Sequence, residues 1–206
     1  TNAEQSRLAV IPTASLAAYN LYTKGRANLY SRRIDTLRKA REQFEEAIAL
    51  DPNYADAFVG LADSVLLLLN NHQALEVDEA FDVAETSLAP ALSLDPDLSD
   101  AHASLGLLRH MTWEQTRSGP GREEAAAHFV RALELNPNNA SAYMWFASTR
   151  SMQLRVDEAI ELFHESLRVD PLGKIPYANL PGMYAFRGQN DEALDLYVKA
   201  IEIHPE

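Results

Sequence analysis

AAAHFVRALELNPN, residues 125–138, is the stretch that decides how this chain folds. Ala125, Phe129 and Ala132 stand 12, 8 and 5 residues before Pro137, a spacing that puts the three side chains on one face of a helix. The proline then forbids the helix to continue and disfavours helical backbone at the residue before it. The same arrangement recurs along the chain: Ala40, Phe44 and Ala47 before Pro52; Ala84, Leu88 and Ala91 before Pro96; Ala159, Phe163 and Ser166 before Pro171; Ala193, Tyr197 and Ala200 before Pro205. Successive prolines are 44, 41, 34 and 34 residues apart. The punctuation also recurs, as Leu50-Asp51-Pro52-Asn53, Leu94-Asp95-Pro96-Asp97, Leu135-Asn136-Pro137-Asn138, Val169-Asp170-Pro171-Leu172 and Ile203-His204-Pro205-Glu206. The Asp or Asn beside the proline offers an acceptor for the free amides of the next helix.

A complementary pattern follows each punctuation: Phe58, Leu61, Ala62 and Val65; His102, Leu105, Gly106 and Arg109; Tyr143, Phe146, Ala147 and Arg150; Tyr177, Leu180, Pro181 and Tyr184. Together the two halves resemble the tetratricopeptide repeat (TPR), a helix-turn-helix unit of 34 residues. The resemblance implies an all-α fold, a right-handed α-α superhelix of about five repeats covering 15–53, 54–97, 98–138, 139–172 and 173–206, with 1–14 as a lead-in or the end of an upstream segment.

Departures from the pattern are expectations in themselves. Gly25 precedes Ala40 by 15 residues rather than 12, so the first repeat diverges in its first helix. Ten extra residues in the second repeat are expected as a loop around Asn70 to Asp78, and seven in the third as a loop around Trp113 to Gly121, where Ser118-Gly119-Pro120-Gly121 is turn chemistry. Pro181 should kink the first helix of the fifth repeat or make it start late. The last helix, about Asp191 to His204, spreads apolar residues over an arc of about 220°, more than one neighbour can bury. Leu194, Tyr197, Val198 and Ile201 are therefore expected as an oligomer face, with a homodimer possible.

Composition excludes several function classes. The chain has 206 residues and no cysteine, so it carries no disulfide, thiolate zinc site or cysteine nucleophile. Its formal charge of -12 argues against wrapping nucleic acid or lying on an anionic membrane, and its longest uncharged apolar-rich run, Ser64 to Leu75, is too short to span one. A cytoplasmic location is expected, or a periplasmic one if a membrane segment precedes the chain. The charge is polarised. Residues 1–50 hold 8 basic against 5 acidic residues, and no Lys or Arg falls between Arg41 and Arg109.

Nothing points to catalysis, a cofactor or a metal. His72, His102, His110, His128, His164 and His204 form no H-E-x-x-H and no pair at i,i+4. His102 and His110, with Asp100, are the nearest approach to a metal or acid–base group. P-loop, Gly-x-Gly-x-x-Gly and Gly-x-Ser-x-Gly motifs are missing.

The TPR resemblance implies a concave groove lined by the first helix of each pair. The matching positions are Tyr19, Tyr22, Arg26 and Tyr30; Asp56, Val59 and Asp63; Asp100, Ala103, Leu107, His110 and Met111; Ser141, Met144, Trp145, Ser148 and Met152; Asn179 and Phe186. Trp145, between Met144 and the inward-packing Phe146, is expected to face the groove as an anchor. Chaperone-binding members of the family grip a C-terminal carboxylate with Lys, Asn and Arg, where this chain has Val59, Ala103, Met144 and Ala178. Acid at Asp56, Asp63 and Asp100 favours instead a basic or amphipathic protein or peptide segment. Finally, Pro12-Thr13, Ala18 to Arg26 and the run from Ala40 to Pro52 are similar to the C-terminal repeat regions of bacterial multidomain signalling proteins. That similarity implies a regulatory or sensory arm, with nucleotide-cyclase, winged-helix or kinase output, and any catalysis, in an attached domain.

Overall fold

A computed structural model describes residues 12–117 and 121–204. The lead-in before Pro12, the Ser118-Gly119-Pro120 part of the expected turn, and Pro205 with Glu206 lie outside the described residues. Ten helices and no strand are present among the described residues: α1 (Leu16–Ser31), α2 (Ile34–Leu50), α3 (Ala55–His72), α4 (Val77–Leu94), α5 (Ser99–Thr116), α6 (Gly121–Leu135), α7 (Ala140–Met152), α8 (Val156–Val169), α9 (Lys174–Phe186) and α10 (Asn190–Ile203). None is long and apolar enough to cross a membrane. The chain divides into two compact units, Thr1–Leu108 and Arg109–Glu206, with the boundary inside α5.

The second helix of each pair stops one residue before its Asp, Asn or His, at Leu50, Leu94, Leu135, Val169 and Ile203. At four of these ends the polar side chain acts on the turn rather than on the next helix. Asp51, Asp95 and Asn136 accept from the backbone N–H two residues on at 3.0 Å, and Asp170 does so at 3.2 Å. This corrects the expectation that they cap the following helix, because the proline between donor and acceptor fixes a tight local turn. Side-chain capping falls to other residues: Ser15 accepts from Ala18 N, and Asn139 Oδ1 from Ala142 N at 2.9 Å. The turn within each pair uses another device. Arg32, Gln73, Arg117, Leu154 and Gly188 all have positive φ, between 48° and 77°, and follow the first helix of their pairs.

Ala40, Phe44, Ala47, Ala84, Leu88, Ala91, Ala125, Phe129, Ala132, Ala159, Phe163 and Ser166 are all buried. In the first unit Phe44 is the centre of the core, packed with Leu29, Leu37, Leu67 and Leu68. Gly25 and Gly60 face its ring so closely that a Cβ on either would lie 2.5–2.8 Å from Phe44 Cζ. In the second unit Phe129 stacks on Phe146, with ring centroids 5.3 Å apart, and Ser166 Oγ donates to the Ala140 carbonyl at 3.1 Å.

The two insertions are not long loops. α3 and α4 are each 18 residues long and leave only Gln73 to Glu76 between them, and α5 continues as helix through Trp113 to Thr116. The extra residues lengthen helices, because Leu66–Leu69 and His110–Met111 add buried side chains to the packed face of each added turn. Pro181 lies inside a helix. α9 begins at Lys174 and runs through it, so the helix does not start late.

Candidate functional site

In the first unit α1, α3 and the start of α5 present Tyr22, Arg26, Asp56, Asp63, Asp100 and Ser104. Asp63 is buried, and its carboxylate meets Ser104, whose Oγ lies 2.5 Å from Asp63 Oδ1 and 3.0 Å from the Asp100 carbonyl. Burial pushes the Asp63 carboxyl up to about 7, while the Ser104 hydrogen bond and Arg26 pull the other way. Burial, then the neighbouring Asp100, also raises Asp56. For Arg26 burial opposes the charge, but Tyr22 and the carboxylates of Asp100, Asp63 and Asp56 outweigh it and hold the guanidinium above its ordinary value. The group thus sets three carboxylates against two half-buried cations, Arg26 and, acting on Asp63, Arg32.

The other groove positions of this unit divide sharply. Tyr19 and Tyr30 are exposed. Tyr22 is half-buried against Phe44 and Tyr54, with ring centroids at 5.9 and 5.0 Å, so it packs as core as well as lining the face. Val59, Ala103 and Leu107 are buried.

In the second unit Trp145 is only 7% exposed, and Met144, His110 and Met111 are similarly covered. Trp145 is therefore not the open anchor expected from its register. A large ring one residue from the core position of Phe146 gains more by packing than by facing water. Met152 is 58% exposed, and its Sδ lies 3.3 Å from His110 Nε2. Phe186 and Asn179 are exposed, and Asn179 Nδ2 donates to the Ile175 carbonyl one turn back at 2.8 Å. Leu194, Tyr197, Val198 and Ile201 form an exposed apolar face on α10.

His102 and His110 have separate environments: His102 Nε2 is 3.1 Å from the Pro96 carbonyl, and His110 meets Met152. Among the described residues no group of three or more His, Asp or Glu is placed to hold a metal ion. Ser104, which meets the Asp63 carboxylate, escapes a reading of the sequence, although it lies one turn after Asp100, a spacing that could have suggested it.

Paired antiparallel helices with small residues at the closest approaches define a helical-repeat protein of the TPR fold. No family model matches the chain. The chain is 26% identical over 174 residues, 84% of its length, to anaphase-promoting complex subunit 7 of Dictyostelium discoideum. It is 27% identical over 177 residues to the human protein O-mannosyl-transferase TMTC3. It spans only 27% and 17% of the length of these two curated relatives. Among solved structures it is similar to TTC0263, a thermophilic TPR protein of Thermus thermophilus, with a TM-score of 0.73, 21% identity, and coverage of 92% of this chain and 93% of that one. PilW, a type IV pilus biogenesis factor, gives a TM-score of 0.62 at 19% identity, covering 94% and 80%. YrrB, a TPR protein with an unusual peptide-binding site, gives 0.51 at 22% identity, covering 100% and 94%.

Proposed function

We propose that this chain is a non-catalytic protein-interaction scaffold that binds a basic or amphipathic segment on the face of the first unit carrying Asp56, Asp63 and Asp100. The observation that supports this reading is the acidic field around Arg26: three carboxylates, with burial raising Asp63 and Asp56, in a unit with no Lys or Arg between Arg41 and Leu108. A cationic side chain arriving beside Asp56 and Asp100 relieves carboxylate repulsion as well as gaining attraction. The TPR fold it shares with YrrB is compatible with peptide capture. In a longer protein the scaffold would act as a regulatory or sensory arm, a role supported by the similarity of residues 12–62 to signalling-protein repeats.

The test is fluorescence anisotropy of a labelled Lys/Leu amphipathic peptide against the intact chain. Binding should weaken steeply between about 50 and 500 mM salt and fall about fivefold in Asp56→Asn and in Asp100→Asn, as expected of a partly desolvated charge pair. Salt-independent binding, or equal binding of a Glu/Leu peptide, refutes it. A second reading, self-association through α10, is favoured by the exposure of Ile201 and Leu194, at 67% and 62%. A monomer in sedimentation at high concentration would remove it.

A further inference from the structure

Among the buried polar side-chain atoms of the second unit that have no hydrogen-bond partner, three belong to residues that are themselves buried: His110 Nδ1, Trp145 Nε1 and Thr149 Oγ1. Their residues are 5%, 7% and 1% exposed. A buried polar group without a partner is costly, so a buried side chain seldom leaves one unmet without a use. Trp145, Thr149 and Met152 follow one another at i, i+4 and i+7 along one stripe of α7. The contact of His110 Nε2 with Met152 Sδ lays α5 against the C-terminal end of that stripe.

Donor and acceptor roles follow from chemistry. Burial and, to a lesser extent, Arg122 lower the His110 pKa against the pull of Glu114, so the ring is neutral at pH 7. A thioether sulfur can only accept, so Nε2 carries the proton and Nδ1 is an acceptor. The Trp145 indole N–H is a donor only, and the Thr149 hydroxyl can do either.

We propose that this stripe is a recognition subsite for a primary carboxamide, the side chain of an Asn or Gln in a bound segment, with His110, Trp145 and Thr149 as its polar contacts. It rests on the reading of the chain as a peptide-binding scaffold. A carboxamide carries its acceptor oxygen and donor nitrogen on one carbon, so it can accept from Trp145 and donate to His110 while Thr149 completes either side. A carboxylate has no proton for His110 Nδ1, and an ammonium has no acceptor for Trp145. Either would also bring an uncompensated charge into a buried site. Met152, which meets His110 only at Nε2, is largely exposed, and its unbranched side chain can move at small cost to admit a ligand.

The chain has two tryptophans, so a 15N-labelled sample gives two indole N–H signals, with Trp113 as the internal control. Titrating the intact chain with propionamide should shift the Trp145 signal saturably and leave Trp113 in place. Propionate and propylammonium should bind at least about tenfold more weakly. His110→Ala and Thr149→Val should each weaken propionamide about tenfold, whereas Thr149→Ser, which keeps the hydroxyl, should retain it. No saturable shift means that the three groups are served by trapped water and overturns the subsite, as does equal response to propionate or unchanged affinity in His110→Ala. If the Lys/Leu peptide binds with salt sensitivity while propionamide does not, only the subsite fails. If propionamide saturates and that peptide does not bind, the acidic-face reading fails instead.

Discussion

Gly60→Ala should destabilise the first unit, although it replaces the poorer helix former with the best. Gly60 lies within α3, where alanine alone would add about 1 kcal/mol of helix stability. Its new methyl, however, would sit 2.5 Å from Phe44 Cζ and 2.7 Å from Cδ1, well inside van der Waals contact. Phe44 is fully buried, and Gly25 closes on the same ring from α1, so the ring has no free side toward which to retreat. Overpacking a well-filled core costs about 1–3 kcal/mol, and the pinned ring argues for the upper end, leaving a net loss of about 2 kcal/mol. By native-state hydrogen exchange, amides of α2 and α3 should open about 30-fold more often. A double-mutant cycle isolates the cause. In a Phe44→Leu background the methyl has room, so Gly60→Ala should become neutral or stabilising, with a coupling of about 2–3 kcal/mol. If Gly60→Ala is stabilising in the parent chain, or the coupling is near zero, the claim that Phe44 is wedged between two glycines is wrong.

The charge of Asp63 sets a pH dependence. Its folded value near 7 lies above the ordinary 3.8, so the folded chain binds the extra proton between the two. Stability from this group is therefore full below about pH 4 and is lost as pH rises through about 7. Asp63→Asn should flatten that slope in pH-dependent urea unfolding, and Ser104→Ala should push the carboxyl higher still in a 13C titration. Leu154→Gly should stabilise by about 1 kcal/mol in thermal unfolding, since Leu154 holds φ 59° while 80% exposed and has little packing to lose. A drop in Tm would contradict that balance. Asn139→Ala, which strips the α7 cap from Ala142 N, should cost about 1 kcal/mol in the same assay, with Asn139→Asp close to neutral. Trp113→Ala removes the ring that Arg122 covers at 3.7 Å and Arg117 at 4.8 Å. It should lower stability by about 1–2 kcal/mol, and no change would mean that these stacks are only incidental.

The helix pairs are legible because two local signals agree at each one: a face with a large apolar residue between two small ones or, in the last pair, a tyrosine between two alanines, then an Asp-Pro, Asn-Pro or His-Pro stop. Where only one signal speaks, sequence and structure part. The second repeat's insertion carries no proline and the third has only the turn residues Ser118 to Gly121, so length suggests loops around Asn70 and Trp113, while tertiary burial of Leu66–Leu69 and Met111 supports longer helices. The positive-φ turns are equally hidden. Gly188 is the one residue of the five whose type announces the conformation, while Arg32, Gln73, Arg117 and Leu154 adopt it because the packed helices on either side dictate where the chain must reverse.

The proposed binding face is legible as a register but not as a surface. Periodicity places Asp56 and Asp100 at matching positions of α3 and α5, and Arg26 responds to these two carboxylates and to Asp63. It cannot tell that Asp63 lies beneath Ser104 while Asp56 and Asp100 remain half-buried, since that depends on a hydroxyl 41 residues away. The same lack of long-range information misplaces Trp145. Spacing gives the direction of its Cβ, whereas its exposure is set by what packs over the ring. Covered, the indole changes role: an exposed tryptophan offers area to any apolar partner, but a buried indole N–H without a partner asks for one acceptor in one place. The structure thus replaces a general anchor by a demand for a particular polar group, and that demand is the sharper thing to measure.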